Sequence, residues 1–332
     1  MTSSTAAVKY IIKMRAFLGI LLSAAAYAAG PCISATTACT EFVTLGGGPA
    51  RTMVYRTQPL NVKNEKIMRA LIVIHGTNRD ADNYFRSTLA AAFLADALED
   101  TVLIVPHIAS AAGSCKDTLA PDEVSWNCSS WRTGGPAVAN DKLTTFDMVD
   151  EILRRLAKKD SFPNLKAIVV AGHSAGGQFV NRYEMSNTVH EKLGVPVSYV
   201  VANPSSYAWI DDTRPAAVAD ACTNYNRWPY GFDNRTGYAA RISDADLKKQ
   251  LASRPTTYLL GEIDILPLGG FDSSCSAMLQ GPTRLARGQA FGKYVNEQLN
   301  ARHDIVEVEL CGHNARCMFT AEKALPILFP KQ

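Results

Sequence analysis

Several things are missing from this 332-residue sequence, and each absence removes a class of protein. There is no Cys-x-x-Cys pair, and the six histidines do not cluster with the eight cysteines, so no metal site is expected. There is no internal repeat and no long low-complexity tract. The longest apolar run, in "AFLGILLSAAAYA", is about thirteen residues, too short to cross a bilayer. Net charge is also scarce. The formal +3 is the excess of 34 basic over 31 acidic residues, and Lys9, Lys13 and Arg15 supply all of it. Without those three the balance is 31 against 31, and no compositional support for nucleic-acid binding remains.

Those three basic residues stand before the apolar run, which ends in small residues with Ala26-Tyr27-Ala28. A basic segment, a short apolar core and an Ala-x-Ala site together read as a secretory signal peptide over residues 1–28. The mature chain is then one domain, 29–332, secreted or periplasmic, monomeric and not stably inserted in a membrane. All eight cysteines lie beyond the leader, and an even set in an exported chain reads as disulfides. Short spacing favours Cys115–Cys128 and Cys311–Cys317. Cys222–Cys275 would tie an insertion to a later loop, and Cys32–Cys39 follows by elimination.

Along the chain, short β-branched or apolar runs alternate with helical patterns, which predicts a mostly parallel sheet with helices on both faces. Eight strands are expected near 40–44, 51–57, 69–74, 101–106, 166–171, 197–202, 256–260 and 305–310, the first two as a hairpin. Helices are expected at 83–98, 145–159, 175–187, 283–300 and 320–328. In "TTFDMVDEILRRLAKK", Phe146, Val149, Ile152, Leu153 and Leu156 fall on one stripe of a 3.6-residue period. Two segments fit neither pattern. Residues 107–141 form a loop with two cysteines, and residues 203–255, an insertion after strand six, are rich in aromatics. Trp131, Tyr207 and Trp209 are candidate substrate-lining residues, with packing on the sheet as the alternative.

The chemistry gathers at strand ends. "KAIVVAGHSAGGQF" runs from a buried strand into Gly172-x-Ser174-x-Gly176, a pattern that chance supplies about 0.1 times in a chain this long. Alone it decides little. However, His75-Gly76 follows strand three, Asp264 follows strand seven and His313 follows strand eight. Reactive groups of open α/β sheets collect beyond the carboxyl ends of strands. With Gly172-His173-Ser174-Ala175-Gly176, His75-Gly76, Asp264 and Gly312-His313 in the order Ser, Asp, His, the sequence resembles the α/β-hydrolase superfamily over residues 40–328. Within it, "SSWRTGG" gives a likeness to secreted esterases of the polyhydroxyalkanoate-depolymerase and feruloyl-esterase type.

That resemblance implies an α/β-hydrolase fold and a cofactor-free serine esterase. Ser174 would attack an acyl carbon, His313 would take and return its proton, and Asp264 would orient the imidazole. The backbone N–H groups of Thr77 and Ala175 would form the oxyanion hole, each worth roughly 3 kcal/mol in the transition state. Alternatives stay open at each position: a turn role for Ser174, His303 in place of His313, and Glu262 or Asp211 in place of Asp264. His75 and His173 read as structural, and His107 and His190 carry no readable signal. Asn127 and Asn234 match glycosylation sequons. A peptidase or amidase, or a non-catalytic binding protein on the same scaffold, remains the competing function, and the ester substrate itself is not legible.

Overall fold

The computed structural model describes residues 30–331, together with Met1. The expected leader 1–28 and its cleavage point lie outside the described residues, save Met1.

Eight strands form one open sheet: β1 (Thr40–Thr44), β2 (Arg51–Arg56), β3 (Arg69–Ile74), β4 (Thr101–Pro106), β5 (Ala167–His173), β6 (Val197–Ala202), β7 (Thr256–Gly261) and β8 (Asp304–Val308). Their spatial order is β1-β2-β4-β3-β5-β6-β7-β8. β1 and β2 pair antiparallel, as their short connection requires; β2 also pairs antiparallel with β4, and every pair from β4 to β8 is parallel. From β3 to β7 the strands are mostly apolar runs because both faces are covered, whereas the edge strand β8, "DIVEV", is mostly exposed. Ile168 and Val170 of β5 point into one core layer, and Val169 and Ala171 point into the other. β3 alternates in the same way, with Ala70, Ile72 and Ile74 on one face and Leu71 and Val73 on the opposite one.

Among the described residues eight α-helices complete the layers: α1 (Ala81–Leu94), α2 (Thr145–Leu156), α3 (Ala175–Ser186), α4 (Asp244–Ser253), α5 (Cys275–Met278), α6 (Arg284–Leu299), α7 (Ala315–Thr320) and α8 (Leu325–Leu328). The α2 stripe of Phe146, Val149, Ile152, Leu153 and Leu156 is fully buried. Its start is fixed by a capping box: Thr144 Oγ1 accepts the Asp147 N–H at 3.2 Å, and the Asp147 carboxylate accepts the Thr144 N–H at 2.8 Å.

Three boundaries differ from expectation for local reasons. The helix expected at 320–328 is two helices, because Asn314 caps α7 early and Pro326 starts α8 afresh. β8 stops at Val308, and Leu310 turns the chain with φ +55°. Residues 244–253 of the aromatic insertion are α4, capped by Ser243 and packed against α3 and α6. The four disulfides are Cys32–Cys39, Cys115–Cys128, Cys222–Cys275 and Cys311–Cys317, the pairs expected. Among the described residues no helix is long and apolar enough to cross a membrane.

Candidate active site

The turn from β5 into α3 is tight because side chains are absent from it. A Cβ at Gly172 would lie 2.2 Å from the Gly176 carbonyl oxygen, and one at Gly176 would lie 2.1 Å from that of Ile74. Only glycine permits this approach of helix to strands. Between them Ser174 adopts φ 60°, ψ −119°, a conformation costly for a residue with a side chain. Its N–H donates to the Ala202 carbonyl of β6 at 2.9 Å, which anchors the turn.

Three side chains from three loops then join. His313 Nε2 lies 2.9 Å from Ser174 Oγ, and His313 Nδ1 lies 2.8 Å from Asp264 Oδ2. Asp264 is fully buried, and the Cys311–Cys317 disulfide brackets His313. The rival residues are engaged elsewhere. The Glu262 carboxylate accepts the Leu310 N–H at 2.8 Å, and Asp211 accepts the Thr213 N–H at 2.9 Å. His303 pairs with the Tyr258 hydroxyl at 2.9 Å, just before β8 and therefore at the opposite end of the sheet.

The two flanking histidines are held neutral. His75 Nε2 accepts the Ile108 N–H at 3.1 Å, so the proton resides on Nδ1, which donates to Gly76 O at 3.0 Å. Burial pulls its pKa down to about 3. The ring thereby pins the loop after β3 that carries Gly76 and Thr77. His173 is also buried, 3.1 Å from the Tyr84 hydroxyl and with its ring centroid 4.7 Å from that of His313. Burial, reinforced by His313 and Arg284, holds it well below the usual histidine value.

A Cβ on Gly76 would sit 3.8 Å from Ser174 Cβ, which brings the Thr77 loop alongside the serine. Among the described residues, neither the Thr77 nor the Ala175 N–H has an acceptor. Ala175 is the first residue of α3, where backbone N–H groups are unpaired by construction. Over the serine lies a cleft of about 520 Å³, lined among others by Thr77, Asp80, Arg86, His313 and Arg316. Chemically, the arrangement can remove the Ser174 proton while presenting two N–H donors to an oxygen beside it.

The three aromatic candidates do not reach this cleft. Trp131, Tyr207 and Trp209 are 1%, 0% and 2% exposed, so the substrate-lining expectation is corrected. Trp131 packs on His75 with centroids 5.2 Å apart, Tyr207 stacks on Phe291 at 4.6 Å, and Trp209 lies on Tyr294 at 4.2 Å. Large rings in a polar segment gain most by filling the space between that segment and the helix layer. One residue of the site was not anticipated. Arg284, fully buried at the start of α6, lies 3.5 Å from Asp264 Oδ1. Its local sequence, "GPTRLARG", gives no sign that the charge is inside.

No protein-family model matches this sequence, and no curated protein matches it. Among solved structures, poly(aspartic acid) hydrolase-1 from Sphingomonas sp. KT-1 is similar with a TM-score of 0.63 and 23% identity, covering 87% of this chain and 97% of that one. The poly(3-hydroxybutyrate) depolymerase LpqC from Bordetella parapertussis is similar with a TM-score of 0.60 and 20% identity, covering 87% of this chain and 90% of that one. The chain has the α/β-hydrolase fold. In this α/β-hydrolase sheet, the loops after β3, β5, β7 and β8 all leave carboxyl ends of parallel strands and meet at one cleft.

Proposed function

We propose that the protein is a secreted serine hydrolase that cleaves carboxylic esters through an acyl-enzyme on Ser174, with His313 as base and Asp264 as its orienting acid. The observation that carries this reading is the continuous hydrogen-bonded path from Ser174 Oγ through both His313 nitrogens to Asp264, at the floor of an open cleft. Ser174 Oγ attacks the ester carbonyl and its proton passes to His313 Nε2. The carbonyl oxygen takes the negative charge, facing the Thr77 and Ala175 N–H groups. Collapse of the tetrahedral adduct breaks the C–O bond, and His313 returns the proton to the leaving alcohol. Water then repeats the sequence on the acyl-enzyme and frees the acid. Each N–H donor contributes roughly 3 kcal/mol in the transition state.

Export follows from the leader pattern in residues 1–28, and the four disulfides support an oxidising compartment. An ester is favoured over a peptide because Asp80 is the one acidic side chain among the described residues lining the cleft, so no acidic pair is present to hold an amine. The second reading, an amidase, draws on the similar fold named for poly(aspartic acid), whereas the other similar fold is named for a polyester. Matched ester and anilide substrates separate the two. For the main reading, Ser174→Ala should abolish turnover of a short-acyl aryl ester; turnover retained by that variant removes it.

A further inference from the structure

A buried guanidinium is costly unless it is paired, and each of the three Arg284 nitrogens has an acceptor. Nε donates to Ser205 Oγ at 2.8 Å, Nη2 donates to the Gly269 carbonyl at 2.8 Å, and Nη1 faces Asp264 Oδ1 at 3.5 Å. Both charged side chains of the Arg284–Asp264 pair have no solvent exposure. The three acceptors belong to two loops, one after β6 (Ser205) and one after β7 (Asp264, Gly269). Gly269 is itself a wall of the cleft, where an added Cβ would lie 3.2 Å from His313 Cδ2. The carboxylate is thus divided, with one oxygen for His313 and the other for Arg284.

We propose that Arg284 is a positioning residue for this site: its fork locks the Asp264 loop to the loop after β6. The inference rests on Ser174 being the nucleophile and His313 its base. Aligning Asp264 fixes the ring that must point Nε2 at Ser174.

The other groups around these two are few. Facing His313 are Ser174, neutral His173 backed by the Tyr84 hydroxyl, Asp264, and at the cleft wall Asp80, Arg86 and Arg316. Facing Arg284 are Asp264 and, on the same helix, Arg287, which donates to the Asp272 and Ser205 carbonyl oxygens.

The test uses the rate of Ser174 phosphonylation by a dialkyl fluorophosphonate against its concentration, in the whole mature protein. In that reaction the Ser174 Oγ–P bond forms, the P–F bond breaks, fluoride leaves with the electron pair, and the serine proton goes to His313. Arg284→Lys keeps the charge but not the fork, and its plateau rate should fall about tenfold while the fluorophosphonate concentration giving half-maximal rate stays within about twofold of the wild type. Arg284→Gln should do the same. Ser205→Ala, which removes one acceptor of the fork, should lower the plateau at least about threefold. If Arg284→Gln does not fold, Arg284→Lys and Ser205→Ala decide. Unchanged plateau rates, or a loss confined to the half-maximal concentration, overturn the proposal. A wild-type protein that is not labelled at Ser174 removes the underlying reading instead, which is a different result from a labelled wild type with an indifferent Arg284.

Discussion

On α3, Glu184 is fully buried, and burial pushes its carboxyl up to about 8. Its surroundings suit the neutral acid. Asn181 Nδ2 donates to Oε1 at 3.1 Å, and Thr256 Oγ1 lies 2.8 Å from Oε2 and 3.2 Å from the Arg254 carbonyl oxygen. With Oε2 protonated, Glu184 donates to Thr256, which donates on to Arg254. The folded state therefore holds a proton between pH 4.5 and about 8 that the unfolded chain releases. Stability from this group is complete below pH 4.5 and is lost as pH rises toward 8. Glu184→Gln copies the protonated acid, so its melting temperature relative to wild type should rise by roughly 3 to 6 °C between pH 5 and pH 8. Thermal melts at the two pH values check this, and a constant difference contradicts it. At this scale the candidate residues were legible where they sit beside a strand end, as do Ser174, Asp264 and His313, which the structure brings within hydrogen-bonding distance. It was silent on Glu184 and Arg284, because a charged letter in a helix reads as solvated surface and only packing reveals otherwise.

Elements were legible where pattern and punctuation agreed. The strands from β3 to β7 announce themselves as apolar runs because both faces are covered, and α2 does so through its stripe and its Thr144–Asp147 cap. Thr144→Ala should cost about 1 kcal/mol of stability in denaturant unfolding, with little effect on activity. α4 was missed although Ser243 precedes Asp244 and Asp246, because Leu247 and Leu251 are its only buried apolar side chains. The short loop from β8 to α7 is the element on which the candidate base depends. Its Cys311–Cys317 bond closes so small a ring that its entropic contribution is about 2 kcal/mol. Loops are mobile and function needs placement within about 0.5 Å, so position should suffer more than stability. Replacing both cysteines by serine should lower the turnover rate proportionally more than the unfolding midpoint, and an unchanged turnover rate removes the positioning role.

Over the whole molecule, the alternation of strands and helices conveys the open parallel sheet, but not what the aromatic insertion does. Tyr207 and Trp209 stand in a polar stretch, and in sequence a ring over substrate and a ring under a loop look alike. Burial decides it: both fill the layer against Phe291 and Tyr294. Trp209→Ala should therefore destabilise the fold by about 3 to 5 kcal/mol while the KM of a small ester stays within about twofold. A raised KM without loss of stability would return Trp209 to the substrate. All four loops at the cleft serve one proposed event, the transfer of an acyl group to Ser174. The most direct measurement is to react the mature protein with a fluorophosphonate and locate the adduct by peptide mass spectrometry, alongside Ser174→Ala and His313→Ala. A single adduct on Ser174, absent from Ser174→Ala and at least about a hundredfold slower in His313→Ala, is the predicted result. An adduct on another residue, or labelling of Ser174 at an undiminished rate without His313, contradicts it.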